Sequence, residues 1–135
     1  MALAEHTHEY GWCSFPIVGA ADHAAGKSVG HIVNPEGVPI AITRCVVAVQ
    51  ENSTGAANLT IGSGASVLAA HDGAGIFAAA AMAAAKDTAV VGLSMGDAAD
   101  ALPIVGSGEY IVACTSADSS GLEARAYIEY IRLPE

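Results

Sequence analysis

Clusters of turn-forming residues recur along the chain at intervals of roughly ten residues, and this spacing restricts the fold more than any other feature. Short runs rich in Val, Ile, Thr and Tyr lie between the clusters, as expected for strands. The run at residues 122–131 alternates, with apolar residues on the even positions and mostly polar or charged residues on the odd ones. That period of two is typical of a strand with one buried face. The pattern predicts an all-β domain of the sandwich or barrel kind.

One segment departs from this pattern. Residues 76–86, IFAAAAMAAAK, have the highest helix propensity in the chain. Two interpretations stay open: a short helix that ends at Lys86-Asp87, or an alanine-lined strand packed closely against a neighbour. Propensity favours the short helix. The segment does not predict an α/β fold, because no alternation of helices and strands follows it.

The first 28 residues differ in character from the rest. They are polar and aromatic at EHTHEYGWC and then small and flexible at GAADHAAGK, whereas strand-like runs begin at Val29. We therefore expect an extended N-terminal arm and loop at residues 1–28, with one short strand near Phe15–Val18, and a sandwich domain at residues 29–135. Such an arm can order on a partner surface. The residues predicted to contact the partner are Tyr10, Trp12 and Phe15.

Charge and composition exclude several classes of partner. The chain has a formal net charge of −9, from 5 basic and 14 acidic residues, and the basic residues are scattered singly. Nucleic-acid binding and docking on anionic lipid both need clustered Lys and Arg, so neither is expected. No apolar run approaches the length of a membrane span. Much of the hydrophobic fraction of 53% is alanine, which makes a thin core and favours a homo-oligomer.

Two short motifs resemble catalytic or nucleotide-binding signatures. Gly26-Lys27-Ser28 resembles the end of a phosphate-binding loop, but six residues separate it from Gly19 where four are required. We interpret this segment as a surface loop. Gly92-Leu93-Ser94-Met95-Gly96 matches the letters of a nucleophile elbow, yet no histidine follows Ser94. A pair such as His71-Asp72 or Asp22-His23 would serve only in another triad order. A strand that ends in a turn is the favoured interpretation, and no enzyme activity is predicted.

Histidines and cysteines indicate no bound cofactor. His6 and His8 lie on one side of an extended chain, and His23 or His31 would be needed as a third ligand, so no metal site is predicted. The three cysteines, at positions 13, 45 and 114, are odd in number and far apart, with no signal-peptide pattern before them. We expect them to be reduced and buried.

The second half of the chain resembles a known class of proteins. The strings ITRCVVAVQENSTGAANLTIGSGAS, GIFAAAAM, VVGLS and GSGEYIVACTSADSSGLEARAYIEYIRL resemble small β-rich virion proteins of tailed bacteriophages, over about residues 29–133. The resemblance implies a β-sandwich, often similar to a jelly roll, that decorates or cements the head shell and is commonly a trimer. The arm has no counterpart in this resemblance.

Together these features predict a non-enzymatic capsid decoration protein. It would be an antiparallel, jelly-roll-like β-sandwich that binds the major capsid protein at the capsid surface, after synthesis in the host cytoplasm. The alternative is a carbohydrate- or receptor-binding β-sandwich module of a phage tail or fibre, in which Tyr10 and Trp12 would stack on a sugar.

Overall fold

Strands account for all the regular secondary structure in the part of the chain that the structure describes. The structure is a computed structural model that describes residues 9–23, 27–66, 75–94 and 102–133. The strands are β1 (Tyr10–Val18), β2 (Gly30–Val33), β3 (Ile40–Glu51), β4 (Asn58–Gly64), β5 (Phe77–Ala81), β6 (Thr88–Ser94), β7 (Ile104–Val105), β8 (Tyr110–Thr115) and β9 (Glu123–Arg132). Within these ranges no helix is long and apolar enough to cross a membrane. The all-β prediction is confirmed.

The strands form two antiparallel sheets. Sheet I has the order β1-β9-β3-β6, with β7 also paired with β3, and sheet II has the order β2-β8-β4-β5. One apolar core lies between them and receives side chains from both sheets, among them Phe15, Ile42, Ile128, Leu59, Phe77 and Ile111. The predicted antiparallel β-sandwich is therefore confirmed.

Strand β9 shows why the alternating sequence predicted this arrangement. Ala124, Ala126, Ile128 and Tyr130 are buried, and Glu123 begins the exposed set between them. β9 lies between β1 and β3, so both edges of its backbone are hydrogen-bonded and its two faces separate core from surface. The period of two in the sequence arises because successive side chains of β9 alternate between these two faces.

The predicted helix at residues 76–86 is wrong. Phe77–Ala81 form β5, which pairs with β4 at Asn58↔Ala81, Leu59↔Ala80 and Ile61↔Phe77. The large side chains on either side of the alanines at positions 78–81, Phe77 and Met82, are fully buried in the core. Their burial outweighs the helix propensity of the alanines, which is worth only a few tenths of a kcal/mol for each residue. The alternative interpretation, an alanine-lined strand, is the one observed.

The stretch predicted as an arm contains a complete strand of the sandwich. β1 is nine residues long and pairs with β9 along its whole length, from Tyr10↔Ile131 to Val18↔Glu123. The strand expected near Phe15–Val18 is present but begins at Tyr10. An extended arm is not confirmed for these residues, because Cys13, Phe15 and Ile17 alternate into the core. Residues 1–8 lie outside the described residues.

Candidate interaction site

Exposed apolar side chains concentrate on the side of sheet I that faces away from the core, which we call the outer face. The large exposed apolar residues on it are Tyr10, Trp12, Val18, Val91, Ile104 and Tyr127. Trp12 is 68% exposed and Tyr10 is 64% exposed. A sandwich places its apolar side chains between its sheets, so a group of large apolar side chains on an outer surface is a candidate contact site.

The strand register aligns three apolar residues of the outer face in one row across the sheet. Tyr127 of β9 pairs with Val46 of β3, and Val46 pairs with Val91 of β6. Charged residues of β9 lie on either side of this row, Glu129 two residues after Tyr127 and Arg125 two residues before it. Thus apolar contact area in the middle of the face is flanked by one acid and one base.

The outer face differs electrostatically from the rest of the molecule. The face carries two basic residues, Arg44 and Arg125, and three acidic ones, Glu123, Glu129 and Glu51, which is in register with Glu123, so its net charge is −1 on a chain of net charge −9. Arg125 Nη1 also donates a hydrogen bond to Ser14 Oγ at 2.9 Å, which holds the guanidinium close to the sheet. An acidic partner would meet less repulsion here than elsewhere on the surface.

A groove of about 390 Å³ lies at the Tyr10 end of this face. Its lining includes Tyr10, Trp12, Thr43, Tyr127 and Glu129. The register of β3 shifts between Ile42 and Arg44, and this β-bulge leaves Thr43 without a partner residue in β9. Aromatic rings, a hydroxyl and a carboxylate therefore share one shallow depression.

A polar cluster fixes the end of β9 beside the groove. Tyr130 Oη donates to Glu36 Oε2 at 2.5 Å, Arg132 Nε lies 2.8 Å from Glu36 Oε1, and Arg132 Nη1 donates to the Tyr10 carbonyl at 2.8 Å. Hydrogen bonds from Arg132 and Tyr130 hold the pKa of the Glu36 carboxyl below its usual value. Burial and the neighbouring Glu36 raise the pKa of the Tyr130 hydroxyl. The cluster is an ionised carboxylate between two fixed donors, and through Arg132 it holds the backbone at Tyr10.

Two of the three predicted partner-binding residues lie on the outer face. Tyr10 and Trp12 are exposed there, as a contact residue must be. Phe15 has the opposite parity on the same strand, and it is 2% exposed within the core. It has no surface to offer to a partner, so its role as an apolar anchor is corrected to that of a core residue.

The segment that resembles a phosphate-binding loop is followed by a strand and not by a helix. Lys27 is exposed and lies 3.8 Å from an Asp22 carboxylate oxygen, and the chain enters β2 at Gly30. A phosphate-binding loop would continue into a helix at this point. Gly26 lies outside the described residues.

The nucleophile-elbow motif begins inside a strand. Gly92 belongs to β6, and Ser94 is its last residue, in register with Arg44 of β3. A nucleophile elbow would place the serine at a turn that follows the strand, and the residues of such a turn are outside the described ranges. Met95, Gly96 and the pair His71-Asp72 lie outside the described residues.

The described histidines are both exposed. His23 Nδ1 lies 3.3 Å from the Ala21 carbonyl oxygen, and the His31 ring meets Tyr110 edge-on with 6.1 Å between centroids. His6 and His8 lie outside the described residues. In the ranges that are described, no three His, Cys, Asp or Glu side chains come close enough to hold a metal ion.

The cysteines are buried, as predicted. Cys13 and Cys45 flank Ile128, with which both are in register. Burial raises the pKa of the Cys13 thiol to about 11 and that of the Cys45 thiol to about 12. Both side chains are therefore neutral thiols at pH 7, and a thiol is a far weaker nucleophile than a thiolate. Cys13 and Cys45 therefore contribute to the packing of the core.

Comparison of the chain with protein-family models, with curated proteins and with solved structures finds no match in any of the three. The interpretation of the outer face therefore depends on its geometry and on the chemistry of its residues.

Proposed function

We propose that this protein is a non-enzymatic structural protein of a tailed-phage virion. In this proposal the outer face of sheet I binds the major capsid protein, so that the protein decorates and stabilises the head as a homo-oligomer. The observation that carries the proposal is the exposure of Trp12, Tyr10 and Tyr127 on one sheet face. Burying such rings against a partner releases ordered water and stabilises the contact by roughly 25 cal/mol for each Å² of apolar area.

The chemistry of the outer face also supports a contact role. Trp and Tyr supply large, rigid contact area and are enriched among the residues that dominate binding energies. The ionised Glu36 between Tyr130 and Arg132 fixes the backbone at Tyr10, so that this part of the face is preorganised for binding. A preorganised face loses little conformational entropy when it meets a rigid shell.

We further infer that the sandwich is a jelly roll. Its strands pair as β1·β9, β2·β8, β3·β6 and β4·β5, which is the pairing of one long antiparallel ribbon. The additional pairs β3·β9 and β4·β8 join the ribbon to itself. A ribbon rolled in this way gives two four-stranded sheets face to face, as in the double-sheet jelly rolls of viral capsid domains. This topology agrees with the resemblance to virion proteins.

Replacing Trp12 with alanine tests the proposed shell contact. Heads assembled from the major capsid protein of the same phage are mixed with the purified protein, and the bound fraction is measured by cosedimentation. A buried tryptophan at the centre of a contact is commonly worth about 2 kcal/mol or more, so the affinity should fall at least tenfold.

The matched control is Val33→Ala, which removes a 43%-exposed apolar side chain from β2 of sheet II. This variant should bind heads like the unaltered protein. Equal binding by the Trp12→Ala variant, or equal losses for the two variants, would contradict the assignment of the outer face as the shell contact.

A second candidate function is supported by the groove. Aromatic rings that flank a depression stack on the apolar faces of sugars, and Thr43 and Glu129 offer a hydroxyl and a carboxylate for sugar hydroxyls. Trp12 is the only tryptophan in the chain, so its fluorescence reports directly on the groove. A saturable change in emission on adding oligosaccharides, combined with no affinity for heads, would favour a carbohydrate-binding module. An emission spectrum unchanged by a panel of neutral and acidic glycans would exclude it.

A further inference from the structure

We propose that, in the free protein, the outer face of sheet I packs against the same face of a second copy. The two copies are related by a two-fold axis that lies in the plane between their outer faces. The axis runs perpendicular to β9 and passes over Tyr127. This inference goes beyond the proposed function, because it concerns the protein before it meets any shell and does not depend on the identity of the shell partner.

The charge pattern of β9 is complementary to itself about that axis. Arg125 and Glu129 lie on the same face at equal distances before and after Tyr127. An axis perpendicular to the strand at Tyr127 therefore places Arg125 of one copy opposite Glu129 of the other, and the reverse pair forms as well. Facing sheets lie about 10 Å apart, a gap that an extended Arg and Glu side chain bridge together, provided that Arg125 exchanges its hydrogen bond to Ser14 for one to Glu129 of the second copy.

The apolar residues of the face match themselves about the same axis. Val46 and Val91 share the row of Tyr127, so each meets its own counterpart in the second copy. On β1, Trp12 and Pro16 lie at equal distances from Ser14, the residue paired with Tyr127, so the axis sets Trp12 of one copy over Pro16 of the other. Aligned sheets pack with their strands about 30° apart, which displaces these contacts by roughly 2–5 Å, the offset growing with distance from Tyr127.

The overall charge favours a second copy at this face and in this orientation. Each copy carries a net charge of −9, and repulsion between two copies is reduced at a face on which Arg44 and Arg125 offset two of the three glutamates. A two-fold axis parallel to the strands would instead set Glu129 against Glu129 and Arg125 against Arg125. Like charges in contact disfavour that arrangement, so the charge pattern selects the antiparallel one.

The size of the face predicts a dimer of moderate affinity. Four strands spaced 4.8 Å apart, over the length of β1, cover about 600 Å² on each copy. The total of about 1,200 Å² is at the lower limit for specific interfaces, so we expect dissociation in the micromolar range. A shell protein that binds the same face would compete with the second copy, since only one partner can occupy it.

Charge reversal tests the dimer. Molar mass is measured by light scattering and by sedimentation equilibrium across a wide concentration range, without heads, for the unaltered protein and for Arg125→Glu, Glu129→Arg and the double variant. The unaltered protein should shift from monomer to dimer with concentration. Each single reversal should weaken the dimer at least tenfold, and the double reversal should restore it, because the pair is re-formed with its signs exchanged.

Lys27→Glu is the control, because it reverses an exposed charge outside the face. It should leave the dimer unchanged, and equal thermal midpoints for all variants exclude misfolding. A trimer, which the resemblance to virion proteins implies, or a monomer at every concentration would overturn the proposal. So would a double variant as weakly associated as the singles. These outcomes leave head binding by the outer face untouched, because it is measured separately through Trp12.

Discussion

Replacing Phe15 with alanine should lower the free energy of unfolding by about 3–5 kcal/mol. The side chain is 2% exposed and belongs to the core between the sheets, where it contacts groups that cannot fully collapse into the space it leaves. Urea denaturation followed by far-UV circular dichroism measures the change. The thermal midpoint should fall by roughly 10–20 °C for a domain of this size.

Trp12→Ala provides the comparison on the same strand. Trp12 points to the opposite side of β1 and is 68% exposed, so its removal should change the free energy of unfolding by less than about 1 kcal/mol. The two substitutions thus separate stability from binding: Phe15→Ala should lose stability and Trp12→Ala should lose partner affinity. If the Phe15 variant kept its thermal midpoint and lost only binding to heads, the placement of Phe15 in the core would be refuted.

Phe15 also shows why the first strand was harder to predict than the last one. In β9 the exposed positions are mostly charged, so the alternation with buried Ala and Ile is visible in the sequence. In β1 the exposed positions hold Tyr10, Trp12 and Pro16, which are no more polar than the buried ones. Because the outer face is itself apolar here, the strand lacks the contrast between faces on which sequence patterns depend.

The helix prediction for the alanine-rich segment at residues 76–86 was wrong for a different reason. Its helix propensity is a local property, whereas its strand pairing with Leu59 and Ile61 is a property of the whole sandwich. Small outward-facing side chains also remove the alternation that would have marked a strand. Propensity is therefore a poor guide where large side chains that flank the alanines, here Phe77 and Met82, are fully buried in the core.

The candidate site was predictable only in its parts. The aromatic residues Tyr10 and Trp12 stand out in the sequence, but their neighbours on the face do not. Tyr127, Val46 and Val91 come from three strands that are distant along the chain, and only the register of β9, β3 and β6 brings them together. The same holds for Glu36 and Tyr130, which are 94 residues apart and joined by one hydrogen bond. The pairing of strands that are distant along the chain leaves no local pattern in a single sequence.

Gly19→Ala should destabilise the protein by about 3 kcal/mol or more, although it adds a single methyl group. A Cβ atom at this position would lie 1.8 Å from the Ser119 carbonyl oxygen and 2.8 Å from Leu122 Cβ. The backbone cannot move aside easily, because Gly19 N donates to the Leu122 oxygen and Ser119 N donates to the Ala20 oxygen, each at 2.9 Å. The free energy of unfolding, measured by urea denaturation, should fall accordingly.

Gly37→Ala is the matched control, since a Cβ atom there meets nothing within 4 Å. It should change the stability by no more than about 0.5 kcal/mol. The comparison decides between two explanations of Gly19, which in the sequence resembles the first glycine of a phosphate-binding loop. A glycine retained for a ligand would tolerate alanine in the free protein, whereas a glycine retained for close backbone packing would not. Stability losses of similar size for the two variants would contradict the packing explanation, and a large loss confined to Gly19 would support it.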